Sequence, residues 1–292
     1  MKLNHQVAAE EAGRTAEKII RDRMGLSRSM IRKLKRLSGV LVNGESVYLN
    51  KRLREGDSLS VDLRLPACTE AQPQPIPLNI VYEEDHLLVI NKPENMLVHP
   101  LKHEPENTLA NAVLYHYLQH DTEPVFRPVT RLDRNTTGLV VVAKNAHAGF
   151  RLAQQLAAGD LWREYCAVVH GLLKPEHGSI DLPIGRVGGS NVKHAVCPGG
   201  RRALTHYQAE NYLAGATLVK LRLATGRTHQ IRVHLSHIGH PLAGDTLYGG
   251  RLEGIARQAL HCARIGFRHP ITGEVLDFAA PLPEDMRRLL KI

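Results

Sequence analysis

Residues 66–77, PACTEAQPQPIP, limit what this chain can fold into more than any other segment. Four prolines fall within twelve residues, and no hydrophobic period runs through them. Proline fixes its own backbone and has no amide hydrogen, so neither a helix nor a central strand crosses such a stretch. The segment reads as an extended, semi-rigid spacer. It divides the 292 residues into a short N-terminal part, 1–65, and a larger domain, 78–292. Two domains also suit the length, because single domains commonly run to about 150 residues.

The charge divides at the same place. Residues 1–65 hold 14 Lys and Arg against 8 Asp and Glu, which is +6 of the chain's +9. No acid occurs between Asp22 and Glu45. Within that gap Ile31, Leu34 and Leu37 recur at helical spacing and face inward, while Arg28, Arg32, Lys35 and Arg36 share another face, with Lys33 beside them. Gly39 ends this helix. Val40-Leu41-Val42, an Asn43-Gly44 turn and a return strand follow, and Leu59, Val61 and Leu63 alternate as one more strand. Most charged helix faces are simply solvated, but an excess this uncompensated points to nucleic acid. The order of elements over 14–64 resembles the small RNA-binding domain shared by a small-subunit ribosomal protein and bacterial tyrosyl-tRNA synthetases, and implies RNA as the partner.

At 43% apolar and 23% charged, the composition is that of a soluble globular protein. The longest apolar runs, such as Leu87-Leu88-Val89-Ile90, are far shorter than the roughly 18 residues of a membrane helix, so no membrane partner is expected. The start, MKLNHQVAAEEAG, has no apolar signal core, and the four cysteines are scattered without a Cys-x-x-Cys pair. A reduced, cytoplasmic setting is expected.

The larger domain alternates irregularly between strands and helices. Leu87-Leu88-Val89-Ile90 and Leu139-Val140-Val141-Val142-Ala143 read as buried strands. Thr108 to Leu118 has helical spacing, and Val219, Leu221 and Leu223 alternate with Lys220 and Arg222. With no βαβ rhythm and no glycine-rich phosphate loop, a nucleotide-hydrolysing parallel-sheet enzyme is disfavoured and an α+β fold is expected. Before the second buried strand stands Arg131-Leu132-Asp133-Arg134-Asn135-Thr136-Thr137-Gly138, one acid between two arginines. A lone aspartate is usually a loop hydrogen-bonder. Where it is functional, a group ionised at neutral pH suits a nucleophile or charge stabiliser and not a general acid.

Four blocks in order resemble the RluA/RluD-type pseudouridine synthases of ribosomal RNA. They are Asp85 to Pro93 with His99-Pro100; Arg131-Leu132-Asp133-x-x-Thr136-Thr137-Gly138-Leu139; Arg163-Glu164-Tyr165; and Thr225-Gly226-Arg227-Thr228-His229-Gln230-Ile231-Arg232, with Gly244-Asp245 and Tyr248-Gly249 after it. The resemblance implies a largely antiparallel mixed sheet with flanking helices, and a cofactor-free isomerase that turns uridine into pseudouridine. It implies Asp133 as the catalytic aspartate, attacking the sugar carbon or the base. Arg232 would pair with Asp133, a task suited to its two-nitrogen fork. Tyr165 would stack on the target base and assist the last proton removal. Arg131 would fill the gap left by a flipped uridine, and Arg227 and His229 would bind substrate. The partner would be ribosomal RNA, naked or in a pre-ribosomal particle, acted on by a monomer. A loop or junction uridine is expected, because flipping costs a few kcal/mol and least where the base is unpaired. Thr130, Asn191 and His194 depart from the family pattern, which more often has His, Arg and Met there.

The residues by themselves leave rivals. Tyr165 in an apolar strand reads as core, Arg232 as a surface residue of an amphipathic helix, and Lys92-Pro93 as turn structure. His229, His234, His237 and His240 could suggest a metal hydrolase, but the spacing is looser than known ligand motifs and no metal is expected. A non-catalytic RNA-binding ribosome-assembly factor is the other class; the joint presence of Asp133, Tyr165 and Arg232 argues against it.

Overall fold

A computed structural model describes residues 2–24, 26, 31, 34, 39–62, 71–120, 122–188, 192–252 and 254–291. The N-terminal part holds β1 (Lys2–Gln6), α1 (Ala16–Asp22), β2 (Val40–Val42), β3 (Glu45–Ser46) and β4 (Ser58–Asp62). These four strands form an antiparallel sheet in the order β1-β4-β2-β3. The expected Asn43-Gly44 turn is present, with both residues at positive φ, 54° and 86°. That is the backbone a two-residue hairpin requires and the reason Asn-Gly supplies it. Ile31 and Leu34, from the predicted basic helix, are buried with Ile19, Ile20, Val42 and Leu59. Arg28, Arg32, Lys33, Lys35 and Arg36 lie outside the described residues. Ala146 and Phe150 of the larger body pack against this small core.

The described part of the proline-rich segment is no free tether. The Asn111 side chain donates to Gln72 O (2.7 Å), Gln74 N donates to Asn111 O (3.1 Å) and Asn107 N donates to the Gln74 side chain (2.7 Å). Ile76 packs on the main core. Proline removes amide donors, but the remaining amides and carbonyls still find partners along a helix start.

The larger body is built on β5 (Ile80–Glu83), β6 (Leu87–Lys92), β7 (Thr137–Ala143), β8 (Trp162–His170), β9 (His177–Asp181), the hairpin β10 (Ile184–Arg186) and β11 (His194–Val196), β12 (Leu204–Leu213), β13 (Ala216–Leu223), β14 (Leu260–Arg268) and β15 (Val275–Ala279). Helices α2 (Leu109–Gln119), α3 (Ala146–Ala158), α4 (Gln230–His237) and α5 (Glu284–Leu290) flank it. The main sheet runs β5-β6-β7-β14-β8-β13-β12-β9, with β15 on β14. The architecture is α+β and largely antiparallel, as expected. The helix predicted from Thr108 is capped there: Thr108 N donates to Asn111 Oδ1 (2.9 Å) and Asn111 N to Thr108 Oγ1 (3.4 Å).

One contact breaks the antiparallel rule. β7 and β14 run parallel through Thr137↔His261 and Gly138↔Cys262. At this seam Gly138 has φ +111°, and a Cβ there would lie 2.3 Å from Cys262 O and 2.6 Å from Cys262 N. Only glycine allows both the conformation and the approach. The Asp133 loop therefore enters the sheet at its central seam, beside the first residues of β14 and against β8.

Candidate active site

The loop that carries Asp133 is tied down on both sides of that residue. Before it, the buried Thr130 hydroxyl accepts Val141 N–H (3.1 Å), so threonine at this departure from the family pattern works as a backbone lock. After it, Lys92 Nζ, fully buried, donates to Arg134 O (2.9 Å), Pro93 O (2.7 Å) and Met96 O (2.8 Å). Burial lowers the Lys92 ammonium to about 7, against the pull of Asp133's charge. Arg257 Nη1 donates to Asn135 O (3.1 Å), and Gln258 Nε2 to Thr136 Oγ1 (3.3 Å). The Arg257 guanidinium is itself gripped by Asp285 of α5 (2.7 and 2.9 Å). Arg134 pairs with Glu104. Lys92, read from sequence as turn structure, is thus a buried clamp.

Asp133's own carboxylate is held much more loosely. Its side chain is 25% exposed, with Arg232 Nη1 at 3.4 Å and His229 Nε2 at 3.9 Å. The expected Arg232–Asp133 approach exists, but the two-nitrogen fork points elsewhere. Arg232 Nε and Nη2 donate to Asp245 Oδ2 (2.7 Å) and Oδ1 (2.8 Å), leaving Nη1 for Asp133. Burial alone would lower the Arg232 guanidinium; Asp245 and Asp133 outweigh it and raise it. Arg232 is 7% exposed, so the surface reading is wrong, and its guanidinium lies over the Tyr248 ring at 4.9 Å. Asp245 and Tyr248 stand in the quoted Gly-Asp-x-x-Tyr-Gly block, which was the available signal for them, but spacing shows no partner.

His229 owes its place to a local device. It sits just before α4 at φ 56°, a left-handed backbone uncommon for a side chain of its size. Gln230 Oε1 accepts Arg227 N (3.0 Å) and Thr225 Oγ1 (2.8 Å), while its amide donates to Leu204 O and Thr205 Oγ1, both at 3.0 Å. Burial lowers the His229 imidazole, against the pull of the Asp133 charge. Tyr248 Oη accepts His194 N–H (3.1 Å) and shares a hydrogen bond with His229 Nδ1 (2.8 Å). The other ring nitrogen, Nε2, faces Asp133. His194, another departure from the family pattern, stands edge-on to the His229 ring at 5.6 Å.

Six residues singled out from sequence, Arg131, Asp133, Tyr165, Arg227, His229 and Arg232, line one cleft of about 110 Å³. Arg131 is exposed and Arg227, half-exposed, donates from Nε to Arg202 O (2.9 Å). Tyr165 is buried, and that burial pushes its phenol above the ordinary value. The histidines do not converge. His234 is spent on Thr205 Oγ1 and Leu182 O, both at 2.9 Å, and His240 on His170 O (2.9 Å). Among the described residues no group of three or more His, Cys, Asp or Glu could hold a metal ion, and no helix is long and apolar enough to cross a membrane.

The family pattern described as RNA pseudouridylate synthase matches residues 86–237. The chain is 42% identical over 270 residues to the uncharacterized RNA pseudouridine synthase YjbO of Bacillus subtilis (strain 168), covering 92% of this chain and 95% of that one. It is 41% identical over 278 residues to the ribosomal large subunit pseudouridine synthase D of Xanthomonas campestris pv. campestris, covering 90% and 84%. The solved structure of human RNA pseudouridylate synthase domain containing 1 superposes with a TM-score of 0.60 at 25% identity, over 75% of this chain and 95% of that one. The chain belongs to the RNA pseudouridylate synthase family and is an isomerase acting on RNA.

Proposed function

We propose that the protein converts uridine to pseudouridine in large-subunit ribosomal RNA, with Asp133 as the attacking group. The observation that carries this reading is the loosely held Asp133 carboxylate, on a rigidly pinned loop, in a cleft shared with Arg232, His229 and Tyr165. A nucleophile needs a fixed backbone and an unsaturated oxygen, and Asp133 has both. Arg232, fixed by Asp245, balances the Asp133 charge. Tyr165 supports the flipped base, Arg227 and His229 contact the nucleotide, and the exposed Arg131 enters the space the uridine vacates. Arg28, Arg32, Lys33, Lys35 and Arg36 hold flanking RNA. The ribosomal target is supported by relatives named ribosomal large subunit pseudouridine synthase D, at 40–43% identity.

Tritium release from ribosomal RNA labelled at uridine carbon 5 tests the chemistry, and pseudouridine mapping in a deletion strain tests the target. Wild type is expected to release tritium and to restore the missing sites. Rescue of the deletion phenotype by Asp133→Ala as complete as by wild type would instead mark a ribosome-assembly factor that only binds RNA.

A further inference from the structure

Arg163 lines the same cleft but takes no part in holding Asp133. On β8 side chains alternate, so Arg163 and Tyr165 share one face about 7 Å apart. Arg163 is 8% exposed, and its Nε is buried without a hydrogen-bond partner among the described residues. Among the described residues no carboxylate forms an ion pair with it. Glu164, its neighbour, lies on the opposite face with Lys220 (4.0 Å) and Arg222 (3.5 Å). A buried guanidinium nitrogen without an acceptor is costly to keep. Its terminal nitrogens lie beneath Gly226, where an added Cβ would come within 3.6 and 3.7 Å of them.

Depth tells what the missing acceptor is. Arg131 is exposed and Arg227 half-exposed, so the cations at the rim suit phosphates, which stay on the strand outside. Arg163 lies deeper, on the face where Tyr165 meets the base. We infer that Arg163 donates to a carbonyl oxygen of the target uracil and stabilises the negative charge that ring carries during the isomerisation. This inference rests on the function proposed above. When an Asp133 carboxylate oxygen bonds C1′ and the N1–C1′ bond breaks, the electron pair of that bond stays with uracil, spread over N1 and the carbonyl oxygens. Attack at the base would likewise push electrons onto a carbonyl oxygen, and that bond to Asp133 would break again before release. On the sugar route the C5–C1′ bond then forms as the Asp133–C1′ bond breaks and frees the carboxylate, the C5 proton leaves to solvent and N1 gains a proton. Arg163 exchanges no atom; its hydrogen bond strengthens as the ring becomes anionic, which is how a donor accelerates a step.

The test pairs an enzyme change with a single-atom change in the substrate. Single-turnover rates are measured on the RNA segment that wild type modifies, with the target as uridine, 2-thiouridine or 4-thiouridine. Arg163→Gln is expected to slow the uridine reaction by ~10²–10³-fold while RNA affinity stays within about threefold. Sulfur, a weak acceptor, at one of the two positions should slow wild type and slow Arg163→Gln no further. Arg163→Lys, a single-point cation, should recover part of the rate. It also carries the thio comparison if Arg163→Gln lacks the wild-type circular dichroism and thermal midpoint. Full rate in Arg163→Gln, or thio penalties equal in enzyme and variant, would overturn the inference. So would a loss confined to affinity with a salt slope shallower by about 0.7, which marks a phosphate contact. Wild type that forms no pseudouridine in any RNA sinks the underlying function instead.

Discussion

Two carboxylates in this molecule have the same kinds of neighbour and opposite fates. Glu11, in the N-terminal part, is fully buried and saturated: His5 Nε2 lies at 2.7 Å, Arg23 Nε at 2.5 Å, and Ala8 N donates at 3.1 Å. Hydrogen bonds from His5 and the Ala8 amide, with Arg23 adding to them, hold its carboxyl down at about 2 although burial opposes this. Asp133 also has an arginine and a histidine beside it, but at 3.4 and 3.9 Å, and a quarter of its side chain is exposed. The arginine explains the difference. Arg23 gives its Nε to Glu11, whereas Arg232 gives Nε and Nη2 to Asp245 and only Nη1 to Asp133. A saturated carboxylate holds structure together. An unsaturated one, on a backbone fixed by other groups, is free to react.

Exchanging each acid for its amide should cross this comparison. Asp133→Asn is expected to lower the single-turnover rate by about 10⁴-fold, as loss of a nucleophile does, while stability stays within roughly 0.5 kcal/mol. Retention of full rate would remove Asp133 from the chemistry. Next in size, Asp245→Asn should cost about 3–5 kcal/mol of stability in denaturant titration, because the buried Arg232 fork loses its acid. It should also slow catalysis by roughly 10²-fold, as a misplaced group does. An unchanged rate in folded Asp245→Asn would show that Asp133 needs no steering through Arg232. Tyr248→Phe removes the hydrogen bond shared with His229 and should slow the reaction by about threefold to tenfold, the worth of one hydrogen bond, with RNA affinity unaltered.

Glu11 should leave the chemistry alone and appear in the pH dependence of stability. Its folded pKa lies below the ordinary 4.5, at about 2. Its contribution is therefore complete above pH 4.5 and is lost as pH falls from 4.5 through about 2. Protection factors of the amides in β1 and α1, the measured rates set against the intrinsic rate at each pH, should fall over that window in wild type, and Glu11→Gln should show low protection at every pH. Protection that is flat down to pH 2.5 in wild type would break the comparison.

Much of the scaffold was legible because its signals are local. The Asn43-Gly44 hairpin, the Thr108 cap and the buried strands at Leu87 and Leu139 each depend on residues a few positions apart. The family blocks likewise named six residues that the fold gathers into one cleft. What stayed hidden depends on partners distant in sequence. The Arg232 fork belongs to Asp245 because α4 and the loop after it fold back on each other, and no spacing rule ranks that carboxylate above Asp133. Lys92 looked like a turn residue because two of its acceptors, Pro93 O and Met96 O, are local, and the third, Arg134 O, reaches it only after β6 and β7 have paired.

The sequence by itself determined that the chain is α+β and that its excess positive charge is concentrated near the N-terminus; that Asp133 belongs with Tyr165 and Arg232 came from the resemblance of its blocks to a family. Periodicity, turn residues and charge act over a few positions and survive without a fold. Tertiary structure alone decided which oxygens are saturated and which are open. Gly138 against Cys262, Arg257 on Asn135 and Lys92 on Arg134 join segments that become neighbours only when the sheet closes on its parallel seam. Hydrogen-bond geometry is lost within an ångström, so the choice between a structural carboxylate and a reactive one is made there.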